Sequence, residues 1–187
     1  MKIPKYKLSI LIPSLSTRTH YLTSLLSVLN QQMTEEVEIL ILIDNGVKNI
    51  GKKRNELLKQ SQGEYIVFID DDDSVAYSFV DDVLEATKTG VDYISYGQCF
   101  HNVQTKEKKD VISHIGAKWE NLPELAVRGV MHVCPTRREL ALQVKFPEAQ
   151  QYGEDVVWGK EMDKVCKTEY LINKMLYYYE WRRIKTD

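Results

Sequence analysis

Gly63-Glu64-Tyr65-Ile66-Val67-Phe68-Ile69-Asp70-Asp71-Asp72-Asp73 is the most informative stretch of this chain. Tyr65 to Ile69 is a short apolar run that reads as a buried strand, and four carboxylates follow it directly. Crowded like charges repel, and each loses hydration near a sheet edge. A divalent cation relieves that repulsion. Hard oxygen ligands suit Mg²⁺ or Mn²⁺, which keep waters and bind one or two carboxylates plus substrate phosphates. An acidic turn that caps the next helix is the bland reading, but one or two aspartates would suffice for it.

The flanks alternate strand and helix signals. Upstream, Leu8 to Ile12 is an apolar run closed by Pro13, and it reads as a strand. Leu22, Leu25, Leu26, Leu29 and Met33 follow at helical spacing, with Ser16, Thr17 and Thr19 as candidate N-caps. Val37 to Ile43 reads as a second strand. Its apolar residues fall on both faces, Ile39 and Ile41 against Leu40 and Leu42, which predicts a central, doubly covered position. Lys52 to Ser61 reads as a helix stopped by Gly63. Downstream, Val80, Val83, Leu84 and Thr87 make a third helix before Gly90, and Asp92 to Tyr96 a fourth strand. Short links between strands and helices argue for βαβ units in an α/β fold with an open, mostly parallel sheet. Right-handed crossovers bring the C-terminal strand ends to one edge, where ligands bind. The polar segments Ser14 to Arg18, Asp44-Asn45-Gly46 and Asp70 to Asp73 all follow strands, so they should converge there.

The chain has 187 residues, about one domain's worth. Apolar residues make up 43% and charged residues 28%, an ordinary globular composition that excludes disorder over the whole chain. A formal net charge of −2 gives no basis for duplex DNA binding, and no nucleic-acid partner is expected. The longest aliphatic run, Ile39 to Ile43, is far short of the roughly 20 residues of a membrane span. Met1 to Lys5 has positive charge but no apolar stretch behind it, so it does not read as a signal peptide. Cys99, Cys134 and Cys166 are odd in number and far apart, which predicts reduced thiols in a cytoplasmic protein rather than a zinc site or disulfide frame. From Phe100 onward the pattern is less regular. Gln104 to Asp110 reads as a charged loop or hairpin, Asn121 to Val127 as a short helix and Arg138 to Val144 as a helical turn or two. Asp155 to Val165 is a clearer helix, and Met175 to Trp181 a final strand. Residues 1–187 are read as one domain, with a nucleotide-binding half over about 1–98 and a substrate-facing half over about 99–187.

Other residues carry chemistry in this frame. Asn49-Ile50-Gly51-Lys52-Lys53-Arg54-Asn55 opens a helix with three cations, against the helix dipole. Surface charge is one reading, and attraction of a phosphate-bearing ligand to the helix start is the other. Asp44, at a strand tip, offers an acceptor to a base or ribose, although Asp-Asn-Gly is also a turn sequence. Gly153-Glu154-Asp155 precedes a helix, where an acid serves as a cap or as a catalytic group. His132 and the pair Arg137-Arg138 lie in an otherwise apolar stretch, and a lone His is more often structural. Tyr177, Tyr178, Tyr179 and Trp181 read as packing first and as a sugar platform second.

Taken in order, Ile12-Pro13-Ser14 with Arg18, Ile43-Asp44-Asn45-Gly46, Lys53-Arg54-Asn55, Gly63 to Asp73 and Gly153-Glu154-Asp155 resemble a family 2 glycosyltransferase of the GT-A fold. The resemblance covers roughly residues 6 to 183, and Gly63 to Asp73 is its most specific part. It implies that Pro13 and Ser14 shape the loop beside the nucleotide and that Asp44 reads the base, usually uracil. Arg54 and Asn55 match the Arg-Asn pair near the nucleotide, and Arg18, Lys53 and Asp71 join the donor-binding set. Asp70 and Asp72 match the D-x-D motif, with Asp72 the direct ligand of Mn²⁺ or Mg²⁺ and Asp70 closer to the ribose. Asp155 matches the general base of the Glu-Asp motif, with Glu154 beside it. Two features depart from the pattern. Asn45 stands where a second acid is common, and the chain ends soon after Trp181, where many relatives add acceptor-binding or membrane-associated segments.

The implied activity is metal-dependent, inverting transfer of a sugar from a nucleotide-sugar, first of all a UDP-sugar, to the hydroxyl of a glycan or other acceptor. A homo-oligomer, in which a second subunit lends acceptor contacts, fits a transferase this small. A nucleotidyltransferase that makes nucleotide sugars would carry a glycine-rich basic loop after the first strand, where Pro13 to Arg18 hold no glycine. A non-catalytic nucleotide- or sugar-binding scaffold is the reading from another class, and donor hydrolysis separates it from an enzyme.

Overall fold

The computed structural model describes residues 4–149 and 152–182. β1 (Tyr6–Leu15) runs through one 3₁₀ turn, Ser16–Arg18, into α1 (Thr19–Leu29). β2 (Val37–Asp44), α2 (Ile50–Gln60), β3 (Gly63–Phe68), β4 (Ser74–Val75), α3 (Phe79–Thr87) and β5 (Tyr93–Asn102) follow. The second half holds β6 (Lys108–Ser113), β7 (Glu120–Asn121), β8 (Leu125–Arg128), β9 (Thr136–Arg137), α4 (Arg138–Ala141), α5 (Glu154–Val165) and β10 (Glu169–Trp181). The strands form one mixed sheet in the order β2-β1-β3-β9-β5-β6-β8-β7, with β10 paired to β5 and β4. Its long ladders, β1 with β2, β1 with β3 and β10 with β5, are parallel, and its antiparallel pairings are short. This is the expected open, mostly parallel α/β sheet. Among the described residues no helix is long and apolar enough to cross a membrane.

The core explains the order. Leu8, Ile10, Leu11 and Ile12 of β1, and Tyr65 to Ile69 at β3, are fully buried on both faces. α1 lays Leu22, Leu25 and Leu29 into the core, and α3 adds Phe79, Val80 and Val83. The central position predicted for β2 is wrong. β2 is an edge strand, and Ile41 and Ile43 are 39% and 48% exposed. Two apolar faces also arise where an edge strand is covered on one side only.

Other boundaries differ for local reasons. β1 continues past Pro13 to Leu15, so Pro13 is buried within the strand rather than in a loop beside it. No side chain caps α1, and Ser16, Thr17 and Thr19 give way to the 3₁₀ turn that feeds the helix. α2 starts two residues earlier than expected because Asn49 caps it, its side chain accepting from Lys52 N at 2.9 Å. The helix ends where Ser61 turns extended, before Gly63 is reached. The helix expected over Asn121 to Val127 is absent. Pro123 stands inside that segment, and Leu125 to Arg128 pair instead with β6 as β8.

Candidate active site

β1, β2 and β3 end at the same edge, and the three polar segments meet there. After β3 the chain makes a tight acidic turn, with Asp73 N donating to Asp70 O at 3.1 Å. Its four carboxylates divide between two surroundings. Asp71 and Asp73 point inward: Ser14 Oγ donates to Asp71 at 2.6 Å, and Tyr177 OH donates to Asp73 at 2.6 Å. Asp70 and Asp72 stay partly exposed at the mouth. Arg18 pairs with Asp72 and lies 3.3 Å from Asp71, and Arg182 donates to the Asp72 carbonyl at 2.6 Å.

Of the three cations that open α2, Lys52 is surface charge, but the other two are not. Lys53 and Arg54 are each 3% exposed. Lys53 donates to the Ser14 carbonyl at 2.7 Å and pairs with Asp44 at 2.5 Å. Arg54 pairs with Asp70 at 2.8 Å and with Glu154. Asn55 behaves differently: its amide donates to Phe146 O and accepts from Phe146 N, both at 2.9 Å, so it fastens α2 to the 146–148 segment. Asp44 accepts from Gly46 N at 3.1 Å and Lys48 N at 2.7 Å, which makes it both a turn residue and the tip of β2.

α5 completes the site from the other half of the chain. Gly153 stands at φ +78°, a conformation that favours glycine, and sets the helix start. Trp158 stacks on Phe146 at 4.8 Å and 3°, which fixes the helix against the end of the core. Neither acid caps α5. Glu154 is buried against Arg54, whereas Asp155 remains partly exposed and lies 3.7 Å from His132 Nδ1. His132 Nε2 is 3.0 Å from Arg54 and 3.6 Å from Asp70. Its own carbonyl accepts from Phe68 N at 3.1 Å, so the loop before β9 is tied to the end of β3. His132 therefore joins the acidic turn to Asp155. Arg137 and Arg138 do not reach this edge: Arg137 pairs with Glu64 at 3.1 Å, and Arg138 donates to Ser61 Oγ at 2.9 Å.

Electrostatics sort the acids. Burial alone would raise the Asp70 carboxyl, but Arg54 and His132 outweigh it and hold Asp70 well below the usual range. Burial also works against charge on Asp44, yet Lys53 and two backbone amides bring it down to about 2. Asp71, Asp72 and Asp73 shift upward, chiefly through burial, with their like-charged neighbours adding to it. Burial opposes the Arg54 cation, and Asp70, Glu154 and Asp155 reverse that.

Among the described residues no group of three or more His, Cys, Asp and Glu is arranged to hold a metal ion. The chemistry of the donor set still fits one. Asp70 and Asp72 offer hard oxygens at the mouth, and Asp72 Oδ1 has no ion-pair partner among the described residues. Mg²⁺ and Mn²⁺ need one or two carboxylates where phosphates and water complete the shell.

Sequence reasoning does not place three contributors at this edge. Tyr177 and Arg182 come from β10 and the residue after it, about a hundred positions from the turn that they touch. A lone His such as His132 is more often structural, and nothing local shows that its loop crosses beneath Arg54. Two concavities at the other end of the strands, about 310 and 510 Å³, are lined in and just after α3 by residues such as Glu85 and Lys88, away from this chemistry.

With this geometry in place, comparison with known proteins is informative. Residues 46–135 match the family model Glycosyl transferase family 2. The stretch includes the acidic turn, α2 and His132. The solved structure of TarS from S. aureus superposes with a TM-score of 0.71 at 17% identity, covering 94% of this chain and 37% of that one. TarS 1–349 in complex with UDP gives 0.66 at 18% identity, over 94% and 60% of the two chains. TarS 1–349 in complex with UDP-GlcNAc gives 0.65 at 17%, over 95% and 59%. At such identity the likeness carries the fold, which is GT-A, and with the family match it bears out the resemblance read from the sequence. The chain spans about two fifths to three fifths of the length of these structures. Comparison with curated proteins finds no match.

Proposed function

We propose that this protein is a glycosyltransferase that moves a sugar from a UDP-sugar to an acceptor hydroxyl by single displacement with inversion. The observation that carries the reading is the convergence at one sheet edge of the acidic turn, the buried Arg54 and Asp155, joined through His132. The UDP and UDP-GlcNAc complexes of the structural neighbours support the donor class.

Each residue then has a part. Asp44 accepts from the base and Ser14 lines the nucleotide side. Arg18 and Arg54 place positive charge beside the diphosphate. Asp70 and Asp72 would hold Mg²⁺ or Mn²⁺, which as a Lewis acid supplies charge neutralisation for the departing diphosphate. Asp155 takes the proton from the acceptor hydroxyl as that oxygen attacks the anomeric carbon. Glu154 neutralises Arg54 and does no proton transfer. Asn55 and Pro13 act through the frame, because the amide of one is engaged by Phe146 and the other lies inside β1.

Thermal melting with nucleotides tests the reading. UDP at roughly 100 times its Kd adds about 2.7 kcal/mol, a rise of about 5–10 °C for a chain of this size. UDP with Mn²⁺ should exceed UDP with chelator, and Asp72→Asn should remove the difference. No shift with UDP, GDP or CDP under either condition contradicts a nucleotide-sugar site.

A further inference from the structure

β10 runs directly past the acidic turn. Tyr177 OH and the Glu180 amide donate to the two oxygens of Asp73, at 2.6 and 2.9 Å. Alternation along a strand puts Tyr177, Tyr179 and Trp181 on one face. Tyr177 is buried at the turn, but the next two rings open outward: Tyr179 is 41% exposed and Trp181 37%. In the parallel pairing Tyr179 lies opposite Phe100, and their rings sit 5.4 Å apart at 31°. The outer ring is therefore flanked on the same face by a second aromatic. Burial pushes the Tyr179 hydroxyl up to about 12, and the next contributions come from Asp73, Asp70, Asp72 and Asp155. Tyr179 thus stands in the field of both the turn and the base.

Scattered exposed aromatics need no explanation. Two on one face, flanked by a third and beside a candidate transfer site, need one. Glu180 and Arg182 pair with each other on the opposite face, and the charge beside the rings is the carboxylate turn, whose Asp73 takes Tyr177 OH and the Glu180 amide. A lipid or apolar peptide would be left facing those charges. A pyranose has an apolar C–H face for the rings and a rim of hydroxyls for the charged groups.

We propose that Tyr179 and Trp181, with Phe100 beside Tyr179, form an acceptor subsite that takes a pyranose by its C–H face, so the acceptor is a saccharide. The proposal deepens the transferase reading and rests on it for the word acceptor. It assigns the aromatic face a ligand whose binding is measurable without any donor.

Ligand-observed saturation-transfer NMR on the full chain tests it, with methyl β-glucopyranoside as the cyclic probe and sorbitol as the acyclic one. The pyranoside should receive saturation mainly on its ring C–H protons, and sorbitol little. Tyr179→Ala and Trp181→Ala should each weaken pyranoside binding by about tenfold, and Tyr179→Phe should restore it. Circular-dichroism melting confirms that each variant folds. Equal pyranoside binding in the wild type and both alanine variants overturns the proposal, as does sorbitol binding as well as the pyranoside, or no pyranoside signal at all. UDP-dependent melting of the wild type is scored separately. Its failure strikes the transferase reading, while the pyranoside result still decides whether this face binds a sugar.

Discussion

Arg54 is a buried cation held between Asp70 and Glu154, and the cost of removing a member depends on the charge that it leaves behind. Arg54→Met strands Glu154 in the interior, which typically costs about 3–5 kcal/mol. Glu154→Gln leaves Arg54 still paired with Asp70, so it should cost less, about 1–3 kcal/mol. Chemical denaturation of both variants checks the order, and a reversed order would mean that Glu154 is not the structural partner. Asp44 offers a separate test through acid. Its carboxyl is held at about 2 in the folded chain against an ordinary 3.8. A depressed carboxylate stabilises above its unfolded value, and that contribution is lost as pH falls through the folded one. The melting temperature should therefore drop between about pH 4 and pH 2, and Asp44→Asn should flatten that part of the profile.

At the scale of elements, α5 carries the proposed base, Asp155, and is placed by close packing rather than by a side-chain cap. A Cβ on Gly159 would come 2.2 Å from the Val130 carbonyl, two residues before His132. Alanine is the better helix former by about 1 kcal/mol, but overpacking against backbone typically costs about 1–3 kcal/mol. Gly159→Ala should thus lower both stability and transfer, as the helix moves away from the His132 loop. A gain in melting temperature with full activity would show that the approach is not tight. The same scale shows what was readable. The βαβ segments over β1 to β5 were legible, since each carries its own hydrophobic period and turn residues. The position of β2 was not, because apolar faces do not say which one is covered. The strand at Leu125 to Arg128 owes its state to pairing with β6, a partner that no local pattern reveals.

Across the whole molecule, the site joins segments from both halves of the chain. The acidic turn, Arg18, Asp44 and Lys53 were legible because each follows a strand or opens a helix at the predicted edge. Asp155 was legible through the Glu-Asp pair, but which acid faces outward was decided by Arg54, buried a hundred positions away. His132, Tyr177 and Arg182 depend on long-range approach, and nothing local shows which residues they meet. The central claim is that Asp155 removes the acceptor proton at this edge. The most direct test compares wild type and Asp155→Asn for UDP release from a UDP-sugar in the presence of acceptor, with UDP binding measured alongside. The account predicts a fall in turnover of about 10²–10⁴-fold, with UDP binding and melting temperature near those of the wild type. Turnover at the wild-type rate in a folded, UDP-binding Asp155→Asn would contradict it.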